Sequence, residues 1–248
     1  VADRLAAIDC GTNSVRLLVA EVEDGRVTTL DRRLQITRLG QGVDATGRFH
    51  PDALDRTLAA FDAFAVRMDA LEAGRRRVVA TSAARDAANS AEFFSGVLAR
   101  VGVPAEIITG DEEARLITLA VGKRIPLGEK SALIVDLGGG SVEITFVENG
   151  RITLADSHNF GAVRLLDMLS SAEEDLRSAG QLLGEYMDLV ARKLSRRGNG
   201  KKAALFIATG GNIESIASIP DVRAEPHPDY PETVCIKAGN LRRLMEEL

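Results

Sequence analysis

The run Ile8-Asp9-Cys10-Gly11-Thr12-Asn13-Ser14-Val15-Arg16 returns, altered, as Val135-Asp136-Leu137-Gly138-Gly139-Gly140-Ser141-Val142-Glu143. In each, an apolar stretch reaches an Asp, turns through glycine and small polar residues, passes a Ser and leaves as a second apolar stretch. That pattern marks a β-hairpin with a Gly-rich tip. Made twice, it implies two similar half-molecules, each with a phosphate-sized loop, facing a cleft.

Glycine at a hairpin tip lets backbone N–H groups converge on an anion with no Cβ in the way. Ser and Asn add side-chain donors. An Asp beside phosphate oxygens repels them unless a cation intervenes, so Asp9 and Asp136 point to Mg²⁺, which prefers carboxylates, water and phosphate oxygens. The plain alternative is that Asp-x-Gly is only a good turn. Matching flanks in both copies favour phosphate. The copies differ at one telling place: Arg16 stands where Glu143 stands. A carboxylate there completes a metal site with Asp136. A guanidinium there meets an anion or a neighbouring acid, or is simply a surface strand residue.

Outward from the first loop, residues 4–9 and 15–22 read as strands. Asp24-Gly25 is a two-residue hairpin turn, and 26–38 continues as strand. Residues 39–50 read as a loop, with Gly40, Gly42 and Gly47. Pro51 suits a first helical position, and Leu54, Leu58, Phe61, Phe64, Met68 and Leu71 follow at helical spacing. Val78-Val79-Ala80 reads as a buried strand, Ser90 as the cap of a helix over 91–101, and 104–109 as a strand. A helix over 111–122 holds the domain boundary, giving domains 1–122 and 123–248. The second half restarts with strands at 131–136, 141–147, 151–157 and 203–208, a long amphipathic helix at 172–196, a Pro-rich loop at 220–231 and a last helix at 238–247.

Three further segments carry chemistry. Ala80-Thr81-Ser82-Ala83-Ala84-Arg85-Asp86 takes a buried strand into small polar residues and a helix start, a geometry that offers N–H groups to an anion. Arg85 there is a bidentate phosphate clamp, or a solvated arginine behind an N-cap at Ser82. Thr109-Gly110-Asp111-Glu112-Glu113-Ala114-Arg115 opens a helix with three acids. These complement the helix dipole, and Thr109 with Glu112 fits a capping box. Glu113 has no structural task in that scheme and suits a general base for water. Ile207-Ala208-Thr209-Gly210-Gly211-Asn212 is another strand-to-helix turn for phosphate or ribose.

Composition narrows the classes. The chain has 248 residues, 45% hydrophobic content and a net charge of −5. There is no global basic field for nucleic acid and no apolar run long enough to span a bilayer. Basic groups at Arg75–Arg77 and 192–202 read as solvated surface, with a polyanion-attracting rim as the alternative. Cys10 and Cys235 form no disulfide framework or zinc spacing, which favours a cytoplasmic setting. His50, His158 and His227 show no ligand spacing.

In this order, the runs Ala7 to Ser14, Ala80 to Asp86, Gly110 to Arg115 and Val135 to Glu143 resemble the exopolyphosphatase / guanosine pentaphosphate phosphohydrolase family. That family belongs to the actin, sugar-kinase and heat-shock-chaperone superfamily. The resemblance spans Leu5 to Leu248. It implies an α/β fold of two ribonuclease-H-like (actin-like ATPase) domains with an interdomain cleft. It also implies Mg²⁺-dependent release of terminal phosphate from polyphosphate or guanosine pentaphosphate. By resemblance, Glu113 falls on the catalytic base and Arg85 on the phosphate-binding arginine. Asp136 and Glu143 fall on metal-linked acids, with Asp9 as a further ligand. Asn13, Ser14, Gly138, Gly139, Gly140, Ser141, Gly210 and Gly211 fall on phosphate contacts. Asn212 stands where many relatives have Thr. Relatives run on beyond this end, so a short second domain is expected. A small-molecule kinase of the same superfamily and a non-catalytic nucleotide or alarmone sensor remain as alternatives. No nucleic-acid or membrane partner is expected, and a homodimer is allowed.

Overall fold

The computed structural model of the chain describes residues 3–171, 184, 185, 188, 191, 192, 202–230 and 232–247. Its two sheets both start from the repeated run. Strands β1 (Asp3–Cys10) and β2 (Ser14–Glu23) pair antiparallel, with Asp9 opposite Arg16. Strands β6 (Ser131–Leu137) and β7 (Val142–Glu148) pair the same way, with Asp136 opposite Glu143. The echo in sequence is therefore an echo in register. Arg16 and Glu143 occupy one structural position in two copies of a hairpin.

Each hairpin is extended alike. β3 (Arg26–Ile36) joins β2 and β8 (Arg151–His158) joins β7, both antiparallel. β4 (Arg75–Ala80) then lies parallel to β1, and β9 (Leu205–Thr209) parallel to β6. The short β5 (Ala105–Ile107) follows β4, so the sheets run β3-β2-β1-β4-β5 and β8-β7-β6-β9 among the described residues. Both outer hairpins turn on two residues with positive φ, Asp24-Gly25 (48° and 78°) and Asn149-Gly150 (51° and 72°). This turn matches the natural twist of the strands it joins.

The chain divides into two compact units. The first is Val1–Thr109 with Gly139–Ser141 and Asn159–Glu173, and the second is Gly110–Gly138, Val142–His158 and Glu174–Leu248. The division falls at the start of the helix α5 (Gly110–Gly122), whereas the sequence reading set it at the far end of that helix, between 122 and 123. The units are not two continuous halves, because the tip of the second hairpin groups with the first unit.

In the first unit, α1 (Val43–Thr46), α2 (Pro51–Ala70), α3 (Ser82–Asp86) and α4 (Ser90–Val101) accompany the sheet. The loop read at 39–50 thus contains one turn of helix. Pro51 starts α2 and the His50 ring accepts from the Asp52 amide at 3.3 Å. The helical spacing of Leu54, Phe61, Phe64 and Met68 gathers them on one buried face. They meet Ile8, Val15, Leu17, Val19 and Val78 of the sheet in one core. Phe93 of α4 lies at its centre, edge-on to Phe49, Phe61 and Phe94 with centroids 5.3–6.0 Å apart. Ser90 does not cap α4, as read from sequence, but is its first residue. Asn89 holds the cap position, and its amide instead bridges the Phe49 N–H at 2.7 Å and the Phe49 carbonyl at 3.3 Å.

In the second unit, α5 packs on β7 and β8. Val121, Ile125 and Leu127 bury against Ala132, Ile134 and Val147, with Leu205, Ile207 and Tyr230 alongside. After β9 come α7 (Gly211–Ala217), a 3-10 turn at Pro220–Val222, a two-residue pairing of β10 (Glu225–Pro226) with β11 (Val234–Cys235), and α8 (Ala238–Glu247). The irregular stretch and the last helix stand where the sequence placed them. Of the helix expected at 172–196, residues 184, 185, 188, 191 and 192 are described and helical; the rest of it and the basic group between 193 and 201 lie outside the described residues. A helix the sequence reading left out, α6 (Ala162–Ser171), belongs to the first unit.

Two outcomes follow from the first unit. Phe93→Ala should lower unfolding free energy by about 3–5 kcal/mol, the usual cost of an aromatic cavity, read as a fall in the urea midpoint. Arg67 and then Arg33 hold the Asp31 carboxyl below the usual carboxylate range. Because its folded value is depressed, Asp31 stabilises above the unfolded value and loses that contribution as pH falls through the folded one. Asp31→Asn should therefore lower the urea midpoint at neutral pH, and the gap should close in acid.

Candidate functional site

Glu113, Asp136 and Glu143 converge in the second unit, each offering a carboxylate oxygen within 4.8 Å of the others. Strand pairing explains two of the three. In-register neighbours share a face of the sheet, so Ser157, Glu143, Asp136 and Thr209 form one row across β8, β7, β6 and β9. Glu143 is 1% exposed, and the Ser157 hydroxyl donates to its Oε1 at 2.8 Å. The Thr209 hydroxyl donates to Oδ1 of Asp136. Glu113 comes from above, in the first turn of α5. A Cβ on Gly110 would lie 2.5 Å from the Cβ of Ser157. Glycine at that position is what lets the helix start so near the row.

Three ionised carboxylates this close repel by about 3 kcal/mol per pair at an effective dielectric of about 20. Oxygen-only donors carrying several negative charges fit a hard divalent cation, not zinc, which favours sulfur and nitrogen. The donor set therefore fits a metal of the Mg²⁺ type. Asp9, given a metal role from sequence, is exposed on β1 and is not a member of this cluster.

Backbone contacts freeze the neighbourhood of the cluster. Asn212 Nδ2 donates to the carbonyls of Leu137 and Gly138 at 3.0 and 3.2 Å. A Cβ on Gly210 would stand 2.6 Å from the Leu137 carbonyl, and its φ of 102° also demands glycine. Gly210 thus has a packing role beside Asp136, whatever it contributes to phosphate. Glu112 takes the Arg115 guanidinium in a bidentate pair at 2.6 and 2.8 Å.

The first unit presents the other loop. Gly11 N–H closes the turn on the Ser14 carbonyl at 3.0 Å. The Asn13 carbonyl accepts from Thr37 and Arg38, and the Thr12 carbonyl from Gly40, at 2.9–3.0 Å. The loop's carbonyls are thereby turned toward 37–40, the orientation an anion site requires. Within the same unit, Gly139 lies against Asn13 and Gly140 against the hydroxyls of Thr12 and Ser82. Ser82 does not cap α3, contrary to the plain reading of that segment. Thr81 holds the cap position, and the buried Ser82 Oγ has no hydrogen-bond partner. Arg85 Nη1 donates to the Ile108 carbonyl at 2.6 Å, which orients the guanidinium at the end of β4 and β5. Cys10 is buried, and burial, then Asp9, pushes its thiol far above the usual range. It is no nucleophile.

The sequence pattern of the Ppx/GppA phosphatase family matches residues 18–248. The chain belongs to that family. It is 43% identical over 232 residues to Exopolyphosphatase 2 of Mycobacterium tuberculosis, covering 87% of this chain and 70% of that protein. The solved Aquifex aeolicus PPX-GPPA enzyme superposes with a TM-score of 0.78 at 28% identity, over 100% of this chain and 81% of that one. For an exopolyphosphatase from Cytophaga hutchinsonii the TM-score is 0.86 at 24% identity, over 99% and 79% of the two chains. The last likeness speaks to the fold. As a Ppx/GppA member the chain has the α/β, two-domain actin-like ATPase fold that the family resemblance implied. No helix among the described residues is long and apolar enough to cross a membrane.

Thr12, Ser157, Thr209 and Asn212 are the site residues to which sequence reasoning gave no role of their own, and Ser82 was read only as a cap. Thr12, Ser82, Thr209 and Asn212 sat inside quoted motifs. Ser157 had no local signal, since only strand register puts it beside the acids. Gly110→Ala should weaken Mn²⁺ binding about tenfold, in the range of losses from outer-shell changes. Gly122→Ala, where an added Cβ meets nothing within 4 Å, should leave it unchanged. Titration followed by the electron paramagnetic resonance of free Mn²⁺ separates the two.

Proposed function

We propose that this Ppx/GppA member hydrolyses the terminal phosphoanhydride of inorganic polyphosphate, and of guanosine pentaphosphate where it meets it, with Mg²⁺ and in a cytoplasmic setting. The observation that carries the reading is the convergence of Glu113, Asp136 and Glu143 in a chain 43% identical to a protein named Exopolyphosphatase 2. In this reading Asp136 and Glu143 hold Mg²⁺, and Thr209 and Ser157 keep the two carboxylates in place. When bound, the ion offsets the charge of phosphate oxygens and polarises the anhydride.

Glu113 orients a water and takes its proton as the oxygen attacks phosphorus. Its place in the first turn of α5 suits the role, since a helix N-terminus favours the ionised carboxylate. Arg85, Asn13, Ser14, Gly138, Gly139, Gly140, Ser141, Gly210 and Gly211 are the phosphate contacts of this reading, and Asp9 is a further polar group near the Gly11–Ser14 turn. The catalytic work is positioning and charge stabilisation, as in phosphoryl transfer generally.

Glu113→Gln should keep polyphosphate KM within a few-fold and lower kcat by about 10²–10⁴, the span of general-base contributions. Phosphate release from polyphosphate and from guanosine pentaphosphate, side by side, checks it. Wild-type turnover by the Gln variant would remove Glu113 as base. Phosphate transfer from ATP to an acceptor, with no release from either substrate, would make the chain a kinase.

A further inference from the structure

Arg164 lies in the first unit, beside Thr12 and the Gly139-Gly140 backbone. Its side chain is 17% exposed and its guanidinium joins two carboxylates from different elements, Asp44 of α1 at 2.9 Å and Asp86 of α3 at 2.7 Å. A third acid on its own helix, Asp167, accepts the Gly42 N–H at 3.1 Å. Burial pushes the Asp44 carboxyl up, Arg164 opposes that, and Asp86 and Asp167 add to it. Arg164 is thus the counter-charge that Asp44 and Asp86 share. Arg164 also lines a small pocket with Thr12, Gly40, Val43, Asp44 and Ala83.

The helix that carries Arg164 also holds the second glycine loop. The N–H groups of Val163 and Arg164, at the start of α6, both donate to the Gly139 carbonyl, at 2.8 and 3.1 Å. In a trans peptide the C=O and the following N–H point opposite ways, and the described chain has no cis peptide. With the Gly139 carbonyl taken by α6, the Gly140 N–H is directed away from α6. A Cβ added to Gly140 would lie 2.4 Å from Thr12 Oγ1 and 2.8 Å from Ser82 Oγ. Gly161 makes the approach sterically open, since a Cβ there would fall 2.2 Å from the Gly139 carbonyl carbon and 2.4 Å from the Gly140 nitrogen.

We propose that Arg164 is a positioning residue for the reaction: by tying α6 to Asp44 and Asp86 it aims the Gly140 N–H, with the Thr12 and Ser82 hydroxyls, at a phosphate oxygen. It touches no substrate itself. The inference rests on the phosphohydrolase reading. Misaimed donors cost catalysis steeply, because a fixed N–H acts on charge that develops in the transition state.

The test uses the full chain and two readouts. Arg164→Ala should lower kcat on polyphosphate about 10²-fold, the usual loss for one such donor, with KM changed by less than about threefold. The ¹⁵N and ¹H shifts of Gly140, followed as pyrophosphate is added, should move and saturate in wild type and lose that response in the variant. Arg164→Lys, which keeps the charge and one ion pair, should recover part of both. If Arg164→Ala does not fold, Asp86→Asn, which removes only one of the two pairs, takes its place and should show the same split to a smaller degree. Wild-type kcat in these variants, or a loss of kcat with the Gly140 response intact, would overturn the role. Failure of the wild type to release phosphate would instead overturn the function. The Gly140 titration, which needs no turnover, would still judge Arg164.

Discussion

Two carboxylates held on facing strand positions set the terms for the second unit. Asp136 and Glu143 are register partners beside the glycine tip of a hairpin, and Glu113 joins them from a helix start. Such a group of oxygens could hold a metal ion, and hydrogen-bond donors hold two of the acids in place. Ser157 donates to one acid, Thr209 to the other, and Asn212 and Gly210 hold the backbone of β6 where it leaves the sheet. The arrangement orients the carboxylate oxygens.

The repeated hairpin shows how one piece of structure can take two tasks. Both copies use the same register and the same parallel neighbour, so position is conserved between them while chemistry is not. At the place of Glu143 the first copy has Arg16. One exchange removes a carboxylate from a potential metal site and puts a cation beside Asp9. The first loop, with its carbonyls tied back to residues 37–40, is left as an N–H and hydroxyl surface suited to phosphate.

Much of this was legible from the chain because it rests on local chemistry. The twin hairpins, the Asp24-Gly25 turn, α2 behind Pro51 and the final helix all carry their signals within a few residues. The three acids were named from motif and resemblance. What the chain concealed depends on partners distant in sequence. Ser157 looks like any strand serine until β8 is laid beside β7. Ser90 read as the cap of its helix, but Asn89 holds that position and its amide is engaged by Phe49, forty residues away. Helix α6 was missed because Gly161-Ala162-Val163-Arg164 is a weak start signal, and its N-terminus is completed by the Gly139 carbonyl of another segment. The placement of Gly139–Ser141 with the first unit follows from that same contact.

The central claim is that Asp136 and Glu143, beside Glu113, form a cation site. Calorimetric titration of the wild-type chain and of Glu143→Gln with Mg²⁺ tests it most directly. The account predicts one ion bound per chain, and an affinity at least about tenfold weaker once the buried carboxylate is neutralised. Equal affinity in the two proteins would contradict it.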